Sequence, residues 1–182
     1  MSIDLDARAG LPEDLLNLLR VYPRDGWSVH PNFPGLVAFW LDRHGMFRKL
    51  TDVLRADAEA VMEGNLDPLQ HKQRLARFGG MMVQQLHGHH QIEDMHYFPA
   101  LVKLETRMAR GFDILDSDHH ALDGVLNRFT QSANAVLSGT GEPGKFRDEV
   151  MAFETLLMRH LDDEEDLIVP VLLKHGTDGL HG

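Results

Sequence analysis

Two stretches of this chain read alike. Residues His89 to Leu101 and His160 to Leu172 share the pattern H-x-x-x-E-[DE]-x-x-x-x-P-x-L. Aligning Pro99 with Pro170 pairs His89 with His160, Glu93 with Glu164 and Asp94 with Glu165. The register selects His89 over His90, and Glu164 over Glu165. A second correspondence lies upstream of each stretch. Trp40, His44 and Phe47 match Leu115, His119 and Leu122. Taking His120 instead would set Phe47 opposite Asp123 and break the apolar pattern. The chain therefore reads as two copies of a helix pair, each with one lone histidine and one His-x-x-x-Glu.

That reading dictates helices. Apolar residues recur at three- and four-residue spacing, and few alternate as strands do. Leu36, Phe39, Trp40, Phe47, Leu50, Val53, Leu54 and Val61 fit one helix over residues 35–63. Asp67 is a predicted N-cap with Pro68 in the first turn of the next, over 68–98. Gly79 and Gly80 weaken that helix, and Pro99 is expected to kink or end it. A third covers 107–137, with Ile114, Leu115, Leu122, Val125, Leu126, Phe129 and Val136 facing inward. After a Gly-rich break, a fourth covers 145–174, with Gly176 as its stop. Four such helices with short loops predict an all-α fold, an antiparallel up-down four-helix bundle over residues 35–176. Residues 1–34 form an N-terminal arm lying on it, with a short helix bearing Leu15, Leu16, Leu18 and Leu19, and 177–182 form a tail.

Residues i and i+4 share a helix face. His89 and Glu93 can thus point at one place, as can His160 and Glu164. His44 lies about 19 residues before the first turn and His89 about 22 after it. His119 lies about 19 before the Gly-rich loop and His160 about 16 after it. At ~1.5 Å per residue, each pair falls within roughly one turn of the same height. Imidazole and carboxylate without thiolate suit iron or manganese, with zinc as a further occupant. Isolated buried carboxylates are costly, and a metal pair bridged by Glu93 and Glu164 supplies the missing charge. Two octahedral ions offer ~12 positions. Four histidines, two bridging carboxylates and a bridging oxide or hydroxide leave about one open position per metal, so the site is not a closed structural one.

Composition narrows the function. The chain has 182 residues and no cysteine, which excludes disulfides, thiolate zinc, cysteine-held clusters and cysteine nucleophiles. A net charge of −10 argues against nucleic-acid binding. No apolar run approaches a membrane span, and residues 1–10 lack the pattern of a signal peptide, so a cytoplasmic location is expected. Histidine stands out, at 12 residues.

These motifs resemble the hemerythrin-like family, the HHE cation-binding domains, over about residues 35–175. The resemblance implies a four-helix bundle around a non-haem di-iron centre. Carried over by motif, the ligands are His44, His89, Glu93, His119, His160 and Glu164. The oxygen-carrying members have a second histidine where this chain has Asp123, and space their last His and Asp by five, where Glu165 stands here. The four-His, two-Glu set looks more like bacterial di-iron proteins linked to iron–sulfur cluster repair and nitric-oxide stress; those usually carry a small cysteine-bearing N-terminal domain, and this chain has no cysteine.

The other candidates read differently. Asp94 and Glu165 are solvent-facing acids or supports behind the ligands. Asp123, one turn after His119, is within reach of the metals. His96, seven residues after His89, lines the pocket. His90 and His120 flank the ligands, and His87 faces away. His30, His71, His175 and His181 read as surface, while Trp40, Phe47, Leu86, Ile92 and Leu122 read as core. No residue looks like a nucleophile or dedicated base. The first expectation is a di-iron protein that binds or senses O2 or NO, or responds to redox state. The alternatives are iron delivery for cluster repair, peroxide or oxygen chemistry, and a structural module tied by metal.

Overall fold

The computed structural model describes residues 3–177 and 180. His181 and most of the 177–182 tail lie outside them. Every regular element among the described residues is helical. In order these are a 3₁₀ turn (Glu13–Leu15), α1 (Asn17–Val21), a second 3₁₀ turn (Arg24–Val29), α2 (Leu36–Met62) and α3 (Pro68–Ile92). A π-helical turn (Glu93–Tyr97) leads into α4 (Phe98–Leu104); a 3₁₀ turn (Thr106–Met108), α5 (Ala109–Ser138) and α6 (Pro143–His175) follow. None is long and apolar enough to cross a membrane.

The start of α3 and the end of α6 follow the local chemistry. Asp67 Oδ1 accepts hydrogen bonds from the backbone N–H groups of Leu69 and Gln70 at 2.9 and 3.1 Å, capping α3. Gly176 closes α6 at φ +69°, a conformation that glycine adopts without strain. Pro99 departs from expectation. The chain does not end there but stays helical to Leu104. Proline cannot donate to a carbonyl four residues back, and its ring crowds that carbonyl. The strain is taken up upstream, where the Phe98 N–H reaches the Glu93 carbonyl five residues back. Pro170, the repeat partner, sits inside α6 without a π turn.

Contacts divide the chain into two compact units. One comprises residues 45–89 and 120–158, taken from α2, α3, α5 and α6. Phe47, Leu54, Met82, Leu86, Phe129 and Phe153 are its buried core. Phe129 packs 5.8 Å from Phe146 and 5.6 Å from Phe153, centroid to centroid. A Cβ on Gly79 would meet Phe129 Cζ at an ordinary 3.7 Å and Leu75 Cδ1 of its own helix at 3.3 Å, so only the Leu75 side chain would have to give. His71 is buried here, not on the surface, with its ring 5.9 Å from Phe146. It stands four residues before buried Leu75, on the same helix face.

The other unit comprises the described residues up to 44, 90–119 and the described residues from 159 onward. Its core joins arm residues Leu11, Leu15, Leu18 and Trp27 to Trp40, Leu101, Leu115 and Leu167 through Leu173, Pro170 aside. The inward positions expected for α5 are buried throughout. Phe39 and Ile92 are exceptions to the expected apolar faces, at 61% and 51% exposed. Each lies one residue, about 100° of helix, before a buried one, Trp40 and Glu93.

Candidate metal centre

The centre of the second unit holds an uncommon set of buried polar groups: His44, His90, Glu93, Asp118, His119, His160, Asp163, Glu164 and Glu165. Three histidines share one arrangement. The Nδ1 atoms of His44, His119 and His160 face Glu165 Oε1 at 2.9 Å, Asp94 Oδ1 at 2.7 Å and Asp118 Oδ2 at 3.2 Å. Carboxylates only accept, so Nδ1 carries the proton in each. Nε2 then points the other way. It lies 3.6 Å from Glu164 Oε2 for His44, 3.6 Å from Glu93 Oε2 for His119 and 3.2 Å from Glu164 Oε2 for His160. Metal-ligating histidines characteristically donate their outer N–H to a carboxylate.

The donor atoms cluster accordingly. His90, His119 and His160 each offer a nitrogen within 4.8 Å of the others. His44, Glu93 and Glu164 offer atoms within the same distance of one another. His89 ends the α3 segment of the other unit, four residues before Glu93 in the sequence. Its ring packs 5.2 Å from Phe47. His90 is not the flanking residue that the repeat register suggested. It is buried, stacked 3.9 Å from His119 and edge-on to His160 at 5.4 Å. The signal was its identity, a second histidine beside the first. Alignment discarded it because residue 161, its counterpart, is leucine.

The electrostatics ask for a cation. Burial, and then the nearby charge of Glu164, push the Glu93 carboxyl well above the ordinary range. Trp40 Nε1–H donates to its Oε1 at 2.8 Å. At His160, burial lowers the pKa but the hydrogen bonds to Asp118 and Glu164 outweigh it, raising it to about 9. The buried Nε2 of His119 lacks a well-formed hydrogen bond. Protons thus occupy a site whose inward nitrogens and carboxylate oxygens suit metal coordination, and the residues present fit a metal group.

Other candidates fall outside. Asp123 and His120 are exposed, and so is His96. The π turn accounts for His96: its longer turn breaks the 3.6-residue phase from His89, so a seven-residue step no longer returns to the same face. His87 and His175 are exposed, as expected. Asp94 and Glu165 do stand behind His119 and His44. What sequence reading missed lies in the arm and beside the candidate ligands: Arg8, Arg24, Asp118 and Asp163. A buried arginine in a terminal arm carries no spacing signature.

The fold and this site define a helical cation-binding protein. The family model of the hemerythrin HHE cation-binding domain matches residues 35–172, and the chain belongs to that family. No curated protein and no solved structure matches it significantly.

Proposed function

We propose that the chain holds a non-haem di-iron pair in an antiparallel up-down bundle and uses it to bind or sense O2 or NO. The carrying observation is the set of three histidines whose Nδ1 atoms are anchored by carboxylates and whose Nε2 atoms turn toward Glu93 and Glu164. His44, His89, His119 and His160 would hold the metals, joined by His90. Glu93 and Glu164 would supply the carboxylate donors. Iron would supply reversible valence change and an open position for a small guest. The protein's own part is to fix the imidazole tautomers, exclude bulk water and limit the guest's size. A cavity of about 10 Å³ lies against Trp40, Leu41, His44, Glu164, Ile168 and Val169. That is the lower limit for one water molecule, so a bulky substrate would not fit there without movement of these side chains.

Metal analysis and an optical spectrum of the purified protein test this. About two iron ions per chain are expected, as in other helix-bundle di-metal sites. The reduced protein should change its spectrum on exposure to O2 or NO. A reproducible single ion, zinc alone after iron-rich expression, or indifference to both gases would overturn the reading.

A further inference from the structure

Two arginines of the N-terminal arm stand behind the candidate ligands, although the arm precedes the family-matched residues 35–172. The Arg8 side chain is fully buried. Its Nη1 donates to Asp118 Oδ1 at 2.7 Å, its Nη2 to Asp118 Oδ2, and its Nε to Asp163 Oδ2 at 2.8 Å. Asp118 is the acid that faces His160 Nδ1. Arg24 does the same on the other side. Its Nη1 donates to Glu165 Oε2 at 2.8 Å, while Glu165 Oε1 faces His44 Nδ1. Its Nε reaches Asp166 Oδ1 at 2.7 Å and its Nη2 the Asp162 carbonyl at 3.0 Å. Its guanidinium also lies 4.9 Å over the Trp27 ring, itself buried in the core.

Both chains of contact have the order arginine, carboxylate, imidazole. We propose that Arg8 and Arg24 are positioning residues of the metal centre, so that the docked arm completes a site that residues 35–172 leave unfinished. This rests on the metal-binding reading above. A bidentate arginine fixes both oxygens of Asp118. Asp118 then holds one His160 tautomer and ring orientation. Glu165, gripped at one oxygen, presents the other to His44. With the two arginines replaced and the arm still docked, Asp118 and Glu165, 2% and 5% exposed, would lose their arginine partners, while Asp163 keeps Arg159. Buried charges stripped of partners recruit protons or swing toward water. Either change releases the imidazole that they orient.

The test uses the full chain, freed of metal and titrated with Co(II), whose spectrum reports coordination. Arg24 is 44% exposed at its side chain, so Arg24→Gln should fold. It should weaken cobalt binding about tenfold, the low end for loss of an outer partner of a metal-bound histidine. Glu165→Gln should weaken it about 10–100-fold. The double variant should be no weaker than Glu165→Gln alone, since the arginine acts through that acid. Arg24→Lys should recover part of the loss. Arg8→Gln should lose affinity and alter the cobalt spectrum while Arg8→Lys retains more; if Arg8→Gln does not fold, the Arg24 cycle decides. Unchanged affinity in Arg24→Gln, or additive losses in the double variant, would overturn the proposal. Failure of the unaltered protein to bind cobalt or iron would instead overturn the metal-binding reading.

Discussion

The two copies of the repeat share a pattern but not an environment. In the copy from His160 to Leu172, α6 is regular through Pro170, and His160, Glu164, Glu165 and Leu167 are all buried. In the copy from His89 to Leu101, the backbone takes a π turn at Glu93, Asp94 is 33% exposed at its side chain, and Met95 and His96 face solvent. The acid after each glutamate supports a histidine on another helix: Asp94 serves His119, and Glu165 serves His44. Glu165 is also gripped by Arg24, whereas Asp94 is open to water on its other side. The arm explains the difference. Its leucines and Trp27 share a core with residues of both copies, Phe98 and Leu101 as well as Leu167, Ile168 and Val169, but its cations Arg8 and Arg24 reach acids of the second copy, Asp163, Glu165 and Asp166. Equal spacing creates equal donors, and what packs over them decides how firmly each donor is held.

The largest expected effect tests where the copies remain equivalent. Glu164→Ala and Glu93→Ala should both reduce metal content to about one ion per chain or none, because each removes a charge and a donor facing buried histidines. Elemental analysis under one protocol checks it, and a large asymmetry would break the equivalence. Leu167→Ala comes next. Leu167 is 1% exposed, and its loss should cost about 2–5 kcal/mol in a denaturant titration.

Titration offers a test of both copies at once. In the metal-free protein the His160 pKa rises from 6.5 to about 9, so its stabilisation is present below pH 6.5 and disappears as pH climbs through 9. Glu93, also raised, shifts stability the same way, since the folded state again holds the extra proton. Metal-free protein should therefore lose up to about 3 kcal/mol across that window. Metal affinity should rise over the same range as protons leave the donors. Melting curves at several pH values, with and without metal, check both directions.

Smaller effects separate the copies. Glu165→Ala should weaken metal binding about 10–100-fold, while Asp94→Ala should stay below about tenfold because water can replace a half-exposed acid. Equal losses would show that the arm adds nothing to Glu165. His96→Ala, at the repeat position of Leu167, should change stability by less than about 0.5 kcal/mol and leave metal content intact.

Local and periodic information was legible in the sequence. The helical periodicity, the Asp67 cap, the Gly176 stop and the inward face of α5 follow from rules acting over a few residues, and they hold. The pairing of His with Glu four residues later was also visible, because one helical turn fixes it. What required the tertiary structure was anything set by partners far apart in the chain. Repeat alignment set aside His90, and only packing against His119 and His160 restored it. The π turn before Pro99 moved His96 out of phase, a shift that an ideal helical period does not contain. Arg8 meets Asp118 and Asp163, and Arg24 meets Glu165, across more than a hundred residues of chain. A one-dimensional pattern records which residues share a helix face. It cannot record which charge will be buried against which, because that depends on how the arm packs into the core.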